Sequence, residues 1–255
     1  MYTMGTNPVY ITMQRRAKLM TPECEFLIKA VKDASAFITE DFIIEAKDSE
    51  GDLLTSCDTQ IERFLIEKIQ EEYPDFGIVS EEFNEKKRLT KDCFLIDPID
   101  GTINFAFQIP LWGIQVACRK NGKTVASVIY LPRLNELYCA DKSGAFLNGR
   151  KIKVNNAPVS KALYAIEGGD KSGAMARMRS HSRHFRYACC ACVNFGWVAC
   201  GRLSGMIFRK NHLWDYIPGQ YMVKQAGGYI YNRKNCHIAA NSKELLEIMK
   251  KDATL

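Results

Sequence analysis

Leu27, Ala30, Val31, Ala34, Phe37 and Ile38 fall three and four positions apart, the spacing that lines one face of an α-helix. Thr21-Pro22-Glu23 ahead of them supplies an N-cap, a proline where the N–H would lack a partner anyway, and an acid at the positive end of the helix dipole. A second helix is predicted from Asp58, with Ile61, Phe64, Leu65, Lys68 and Ile69 repeating the spacing until Pro74 stops it. Past Pro74 the texture changes to short apolar runs at residues 76–79 and 93–96, each ending in acids. Residues 112–120 and 124–131 flank Asn121-Gly122, a strong hairpin signal because both positions accept the left-handed backbone such a turn needs. Further strand-like pieces lie at 136–140 and 152–154, the latter after the turn Asn148-Gly149. The remainder alternates helix and strand, with helices near 188–200, 215–226 and 243–250, and residues 1–20 read as a loose tail. Helices, then a largely antiparallel sheet, then an α/β half predict two sheets with helices between and outside them. The halves are expected at 21–155 and 156–255, and no repeat or low-complexity linker separates them.

Composition narrows the class. The 255 residues are 47% hydrophobic and 25% charged, which excludes a disordered chain or a fibre. The longest apolar run, 188–201, contains Asn194 and is shorter than the roughly 18 residues of a membrane span. No apolar run follows Arg15, Arg16 and Lys18, so no secretory signal is read and a cytoplasmic protein is expected. The ten cysteines are irregularly spaced, as buried thiols in a reducing compartment would be. Cys189 and Cys192 make one CxxC, a weak pointer to redox chemistry or half a zinc site with no second pair to complete it. The net charge of +6 concentrates in residues 171–186, with Lys171, Arg177, Arg179, His181, Arg183, His184 and Arg186 and no intervening acid. Only Phe185 and Tyr187 are near enough to stack on bases, so a solvated face or a rim attracting a phosphorylated metabolite is expected rather than a nucleic-acid surface.

Acids gather where elements end: Asp58, Glu81-Glu82, Asp97-Pro-Ile-Asp100 and Trp214-Asp215. Each alone reads equally as a cap, a turn or surface charge. In the third cluster Pro98 stiffens the strand exit, and Gly101-Thr102 offers N–H groups to an anion. Two like charges about 4 Å apart cost about 4 kcal/mol at an effective dielectric of 20, so converging carboxylates hold protons or cations. Oxygen donors without His or Cys select Mg²⁺, Mn²⁺ or Ca²⁺ over zinc.

The run from Asp97 through Pro-Ile-Asp-Gly-Thr-Ile-Asn to Phe105, with Ser80-Glu81-Glu82 upstream and Trp214-Asp215 and Gly227-Gly228 downstream, resembles the inositol monophosphatase family of Mg²⁺-dependent, Li⁺-sensitive phosphatases. The match runs in order from about Pro22 to the C-terminus, and the spacing from Lys47 through Asp52 and Thr55 to Asp58 agrees with it. The resemblance implies a layered αβαβα sandwich and two or three Mg²⁺ per site, with Mn²⁺ an alternative and Li⁺ inhibitory. It implies metal ligands at Glu81, Asp97, the Ile99 carbonyl, Asp100 and Asp215. Asp58, Glu81 and Thr102 match the residues that position and deprotonate the attacking water, and the N–H groups of Gly101 and Thr102 would hold phosphate oxygens. Family members are often homodimers acting on small phosphorylated metabolites.

The chain departs from that pattern at the substrate end. Where relatives acting on inositol phosphates open a helix with Gly-Ser or Gly-Thr, this chain has Cys189-Cys190-Ala191. A family glutamate that binds sugar hydroxyls falls on Phe208, which replaces two acceptors with an apolar or stacking surface beside Asp215. After Asp215, Ile217-Pro218 stand for the usual small residues, with Pro218 expected in the first helical turn. Asn104 matches the inositol-phosphatase branch rather than the branch acting on 3′-phosphoadenosine nucleotides. The expectation is a Mg²⁺-dependent phosphomonoesterase acting on a small polyol or sugar phosphate. Fructose-1,6-bisphosphatase, 3′(2′),5′-bisphosphate nucleotidase and a non-catalytic, partner-binding relative are the alternatives.

Overall fold

A computed structural model describes residues 20–46, 53–168, 173–181 and 184–254. Lys47, Asp52, Lys171, Arg183 and residues 1–19 of the expected tail lie outside the described residues. Helix α1 (Pro22–Ala34) is followed by the short ribbon β1 (Ile44–Ala46) and β2 (Leu53–Thr55), then by α2 (Ser56–Glu72). Next come β3 (Gly77–Ser80), β4 (Cys93–Asp100), α3 (Thr102–Ala106), β5 (Gly113–Lys120), β6 (Lys123–Leu131), β7 (Glu136–Asp141), β8 (Gly144–Leu147) and β9 (Arg150–Ile152). β3 to β9 form one seven-stranded sheet in chain order, antiparallel except for the parallel pair β3 and β4.

The second half contributes β10 (Leu163–Glu167), α4 (Ala174–Met178), β11 (His184–Arg186), α5 (Ala191–Ala199), β12 (Gly205–Phe208), α6 (Leu213–Gln225), β13 (Tyr229–Arg233), β14 (Cys236–Ala240) and α7 (Lys243–Thr254). Its five strands are ordered β11-β10-β12-β14-β13, with the first three parallel. α1 and α2 cover one face of the large sheet, α5 and α6 lie between the sheets, and α4 and α7 cover the outer face of the small sheet. This is the αβαβα sandwich that the sequence predicts. The middle layer is tight: a Cβ on Gly219 of α6 would sit 2.3 Å from the ring of Phe195 on α5, so glycine is required for the two helices to approach.

Several boundaries moved for local reasons. α2 begins at Ser56 rather than Asp58, because Thr55 caps it and Asp58 closes the capping box from the third helical position. β4 continues to Asp100 through a bulge, and β9 ends at Ile152. α5 begins only at Ala191, because Cys189 takes a left-handed φ of 54°. α6 begins at Leu213, which puts Pro218 inside the helix and corrects its expected first-turn place. Asn121 and Gly122 both adopt positive φ, the conformation their hairpin requires. The cysteines are free thiols and eight are buried; Cys189 is exposed and Cys200 half-buried. No helix is long and apolar enough to cross a membrane among the described residues.

Candidate active site

The site forms where the parallel strands β3 and β4 end side by side. Glu81 follows β3, and the turn that carries it is tied down from α2. Glu62, fully buried, accepts hydrogen bonds from Ser80 Oγ at 2.6 Å, Glu82 N at 2.8 Å and Phe83 N at 2.7 Å. Burial raises the Glu62 carboxyl above the usual carboxylate range while these three donors pull against that shift. On β4, Asp97 pairs with Gln115 and Asp100 with Gly113, so one strand takes three steps while its partner takes two. A regular strand would point residues three apart to opposite faces. The bulge re-aims them, and Pro98, which has no N–H to donate, falls within it. Gln115 Nε2 then reaches Asp97 Oδ2 at 3.2 Å, Asp100 Oδ2 at 3.3 Å and the Asp215 carbonyl at 3.3 Å.

Gly101 turns the chain off the strand at φ +88°, where an added Cβ would meet the Leu111 carbonyl and Cys190 at 3.1–3.2 Å. Thr102 Oγ then donates to the Ile99 carbonyl at 2.9 Å. Asn104 Nδ2 donates to the Leu111 and Ala188 carbonyls at 2.7 and 2.8 Å, stapling this loop to the segment before α5. That segment returns the contact: the N–H groups of Ala191 (3.2 Å) and Cys192 donate to the Asp100 carboxylate, which caps α5 from another element. Asp215 enters from the first turn of α6.

These groups surround a cavity of about 510 Å³. Of the residues singled out in the sequence, Glu81, Asp97, Ile99, Asp100, Gly101, Thr102, Cys189, Ala191, Phe208 and Asp215 line it. Asp58 and Cys190 are not among the lining residues and are fully buried. Asp58 Oδ2 accepts from Thr55 N at 2.8 Å and Thr55 Oγ1 at 2.5 Å, and α3 packs against β2, which ends in that Thr55. The Phe208 ring is 1% exposed and packs toward Phe195, Tyr216 and His237, so it closes the wall instead of offering the stacking face expected of it. A larger groove of about 790 Å³ beside α2, lined by Arg63, Phe83, Lys87 and Arg88 among others, has Glu67 as its one acid among the described residues and gathers no carboxylate cluster.

Burial pushes Asp97 and Asp215 well above the carboxylate range, and the charges of Glu81 and Asp100 push both further. Asp100 is raised by burial too, against the pull of the Cys192 and Ala191 N–H groups and of Lys210. Asp97 Oδ1 is buried with no hydrogen-bond partner among the described residues. An orphaned acceptor in a cluster of carboxylates suits a cation, and an all-oxygen set of Glu81, Asp97, Asp100, Asp215 and the Ile99 carbonyl suits a hard one.

Sequence reasoning missed Glu62, Gln115, Glu167 and Lys210. Glu167, at the end of β10, lines the cavity, accepts from Asn194 Nδ2 at 3.3 Å and is raised by burial to about 7. Like Glu81 and Asp100, it is an acid at a strand end, and that was the available signal. Lys210 supplies the cavity's ammonium. By contrast, none of the described basic residues in 171–186 lines the cavity; Arg177 and His181 bind Asp252 on α7 instead.

The model of the inositol monophosphatase family matches residues 19–252. The chain belongs to the inositol monophosphatase family. It is 32% identical over 209 residues to a fructose-1,6-bisphosphatase/inositol-1-monophosphatase of Thermotoga maritima, covering 80% of each chain. It is 28% identical over 230 residues to the Nus factor SuhB of Escherichia coli, covering 83% of this chain and 85% of that one. A solved Thermotoga maritima IMPase superposes with a TM-score of 0.82 at 28% identity, covering 91% of this chain and 97% of the other. The fold and the family are therefore those the motifs indicate.

Proposed function

We propose that this member of the family is a Mg²⁺-dependent phosphomonoesterase that hydrolyses a small polyol or sugar phosphate. What supports this most is the convergence of Glu81, Asp97, Asp100 and Asp215 on one cavity, with Asp97 Oδ1 left without a hydrogen-bond partner among the described residues. Glu81, Asp97, the Ile99 carbonyl, Asp100 and Asp215 would hold two or three Mg²⁺ ions, or Mn²⁺, with Li⁺ as an inhibitor. Bound there, the metal supplies an acidified water, a clamp on the phosphate and a counter-charge for the leaving oxygen.

The protein's own groups do the rest. The Gly101 and Thr102 N–H groups would hold phosphate oxygens; Thr102 orients the water from the cavity wall, and the buried Asp58 would take the proton by way of Thr102. Thr55 fixes the Asp58 carboxylate, and Glu62 fixes the turn that presents Glu81. Water adds to phosphorus as the ester oxygen leaves with a proton, so the products are the free alcohol and inorganic phosphate. Cys189, Ala191, Phe208 and Asp215 border the alcohol's side of the cavity, with Glu167 and Lys210 beyond what the sequence flagged.

The test is phosphate release with Mg²⁺ and with EDTA from inositol 1-phosphate, fructose 1,6-bisphosphate, sugar 1- and 6-phosphates, AMP and 3′-phosphoadenosine 5′-phosphate. Mg²⁺-dependent release from any of them supports the proposal, and silence across the panel from folded, metal-loaded protein overturns it. The likeness to SuhB favours one second reading, a partner-binding protein that retains the fold. Asp97→Asn separates the two, because it abolishes turnover while leaving a partner surface intact.

A further inference from the structure

We propose that Asp100, Cys190 and Cys192 form a site for a thiophilic divalent cation, Zn²⁺ foremost, at the wall of the candidate active site. The sequence pairs Cys189 with Cys192, but the fold does not. Cys189 is exposed, whereas Cys190 and Cys192 are buried with their sulfurs 3.4 Å apart. One carboxylate oxygen of Asp100 and both sulfurs lie within 4.8 Å of one another. Tetrahedral zinc with Zn–S bonds of about 2.3 Å sets its two sulfurs roughly 3.8 Å apart, so the thiols need to part by only a few tenths of an ångström. A disulfide needs about 2.05 Å, which would close the 3.4 Å gap by more than about 1 Å across a single intervening residue.

The surrounding backbone fits the same reading. Cys190 Sγ lies 3.2 Å from where a Cβ on Gly101 would sit, and Cys192 Sγ lies 3.0 Å from the same point on Gly113, so both sulfurs occupy space left by glycines. Asp100 is held in orientation by the Ala191 and Cys192 N–H groups and by Gln115, an outer shell of the kind that orients metal ligands. Asp100 lines the cavity while the two thiols lie behind it, so the ion enters past the carboxylate and a fourth position is left for water. On binding, each thiol releases its proton to solvent, and one Zn²⁺, two thiolates and one carboxylate give a site of net charge −1. The consequence for catalysis rests on the function proposed above: Zn²⁺ would draw Asp100 away from the hard-metal set and inhibit.

The test uses the reduced full chain, stripped with EDTA, with Co²⁺ as probe and Zn²⁺ as competitor. A thiolate-to-cobalt charge-transfer band is expected, displaced by one equivalent of Zn²⁺; Mg²⁺ competes only through the shared Asp100, so excess Mg²⁺ should raise the Co²⁺ concentration needed for the band without abolishing it. Cys190→Ser and Cys192→Ala, each checked for its fold by circular dichroism, should each abolish the two-thiolate band and weaken Zn²⁺ binding by more than about tenfold. A cobalt spectrum without the band, or a band that survives either substitution, overturns the proposal. If one variant does not fold, the other decides alone. The spectrum stands whether or not any substrate is hydrolysed, so failure here is distinct from failure of the phosphatase reading.

Discussion

Asp97→Asn tests the electrostatics of the site before any substrate is known. Asp97 is 1% exposed and faces Glu81, Asp100 and Asp215, whose charges raise its pKa beyond what burial alone does. At separations of about 4–6 Å and an effective dielectric of 20, each like-charge pair costs about 3–4 kcal/mol. Relaxation and proton uptake relieve part of this, so neutralising one member should stabilise the metal-free protein by about 1–3 kcal/mol at pH 8, or about 2–4 °C in Tm per kcal/mol. The sign follows from linkage. A carboxyl whose folded pKa is raised favours the folded state most below its unfolded pKa near 4, and that advantage is lost as pH rises. The gap between variant and wild type should therefore be small at pH 4 and open towards pH 8. Mg²⁺ should reverse the order, stabilising the wild type by about 2.7 kcal/mol at a hundred times its dissociation constant and leaving the variant nearly unmoved. Urea unfolding of both proteins at several pH values, in EDTA and in Mg²⁺, measures all of this. A variant less stable than wild type in EDTA, or an equal gain from Mg²⁺ in both, would refute the reasoning.

Other substitutions probe the supports. Glu62→Ala leaves the Ser80 hydroxyl and the Glu82 and Phe83 N–H groups without their acceptor; it should cost about 2–4 kcal/mol and lower Mg²⁺ affinity through Glu81, read by urea unfolding and a Mg²⁺ titration. Gly219→Ala drives a methyl into Phe195 and should destabilise by about 2 kcal/mol or more, with Phe195→Ala partly rescuing it in a double-mutant cycle. Glu167, raised to about 7 from near 4.5, makes the metal-free wild type lose about 3 kcal/mol of stability as pH rises through that window; Glu167→Gln should flatten the profile in thermal melts from pH 4.5 to 8.

How much of this was legible depended on whether neighbours in sequence are neighbours in space. Asp97, Asp100 and Thr102 share one strand end, and the turn chemistry of Pro98 and Gly101 announces it. Helices α1 and α2 showed in their apolar spacing because each buries a single face. Glu62 was hidden because it lies in the buried stripe of α2 among Ile61, Leu65 and Ile69, and its partners are 18–21 residues away. Gln115 is a polar residue inside a strand that reads as continuous core, and its three contacts are all tertiary. Pro218 misled because nothing local fixes the start of α6: His212 makes no side-chain cap. The Cys190–Cys192 contact turns on the extended backbone of Cys190 at the entry to α5, where the chain changes from extended to helical between the two thiols, a boundary that the apolar run does not announce.

The cap on α5 has a consequence for the order in which the protein folds. This helix has nine residues, below the roughly 12–15 at which isolated helices begin to hold in water, and Cys190 supplies no side-chain cap of its own. Its two leading N–H groups find their acceptor on Asp100, 91 and 92 positions earlier in the chain. Closing a loop of that length has to precede the reward, so the contact belongs to a late step. β4 and β5, joined through α3 by a connection far shorter than that loop, can pair before it. The carboxylate pocket is thus completed when the central helix docks, and pulse-labelled hydrogen exchange should find amides of residues 193–199 protected after those of β4 and β5. Such a chain acquires its scaffold first and its chemistry last, which delays the gathering of buried negative charge until the walls that confine it are already standing.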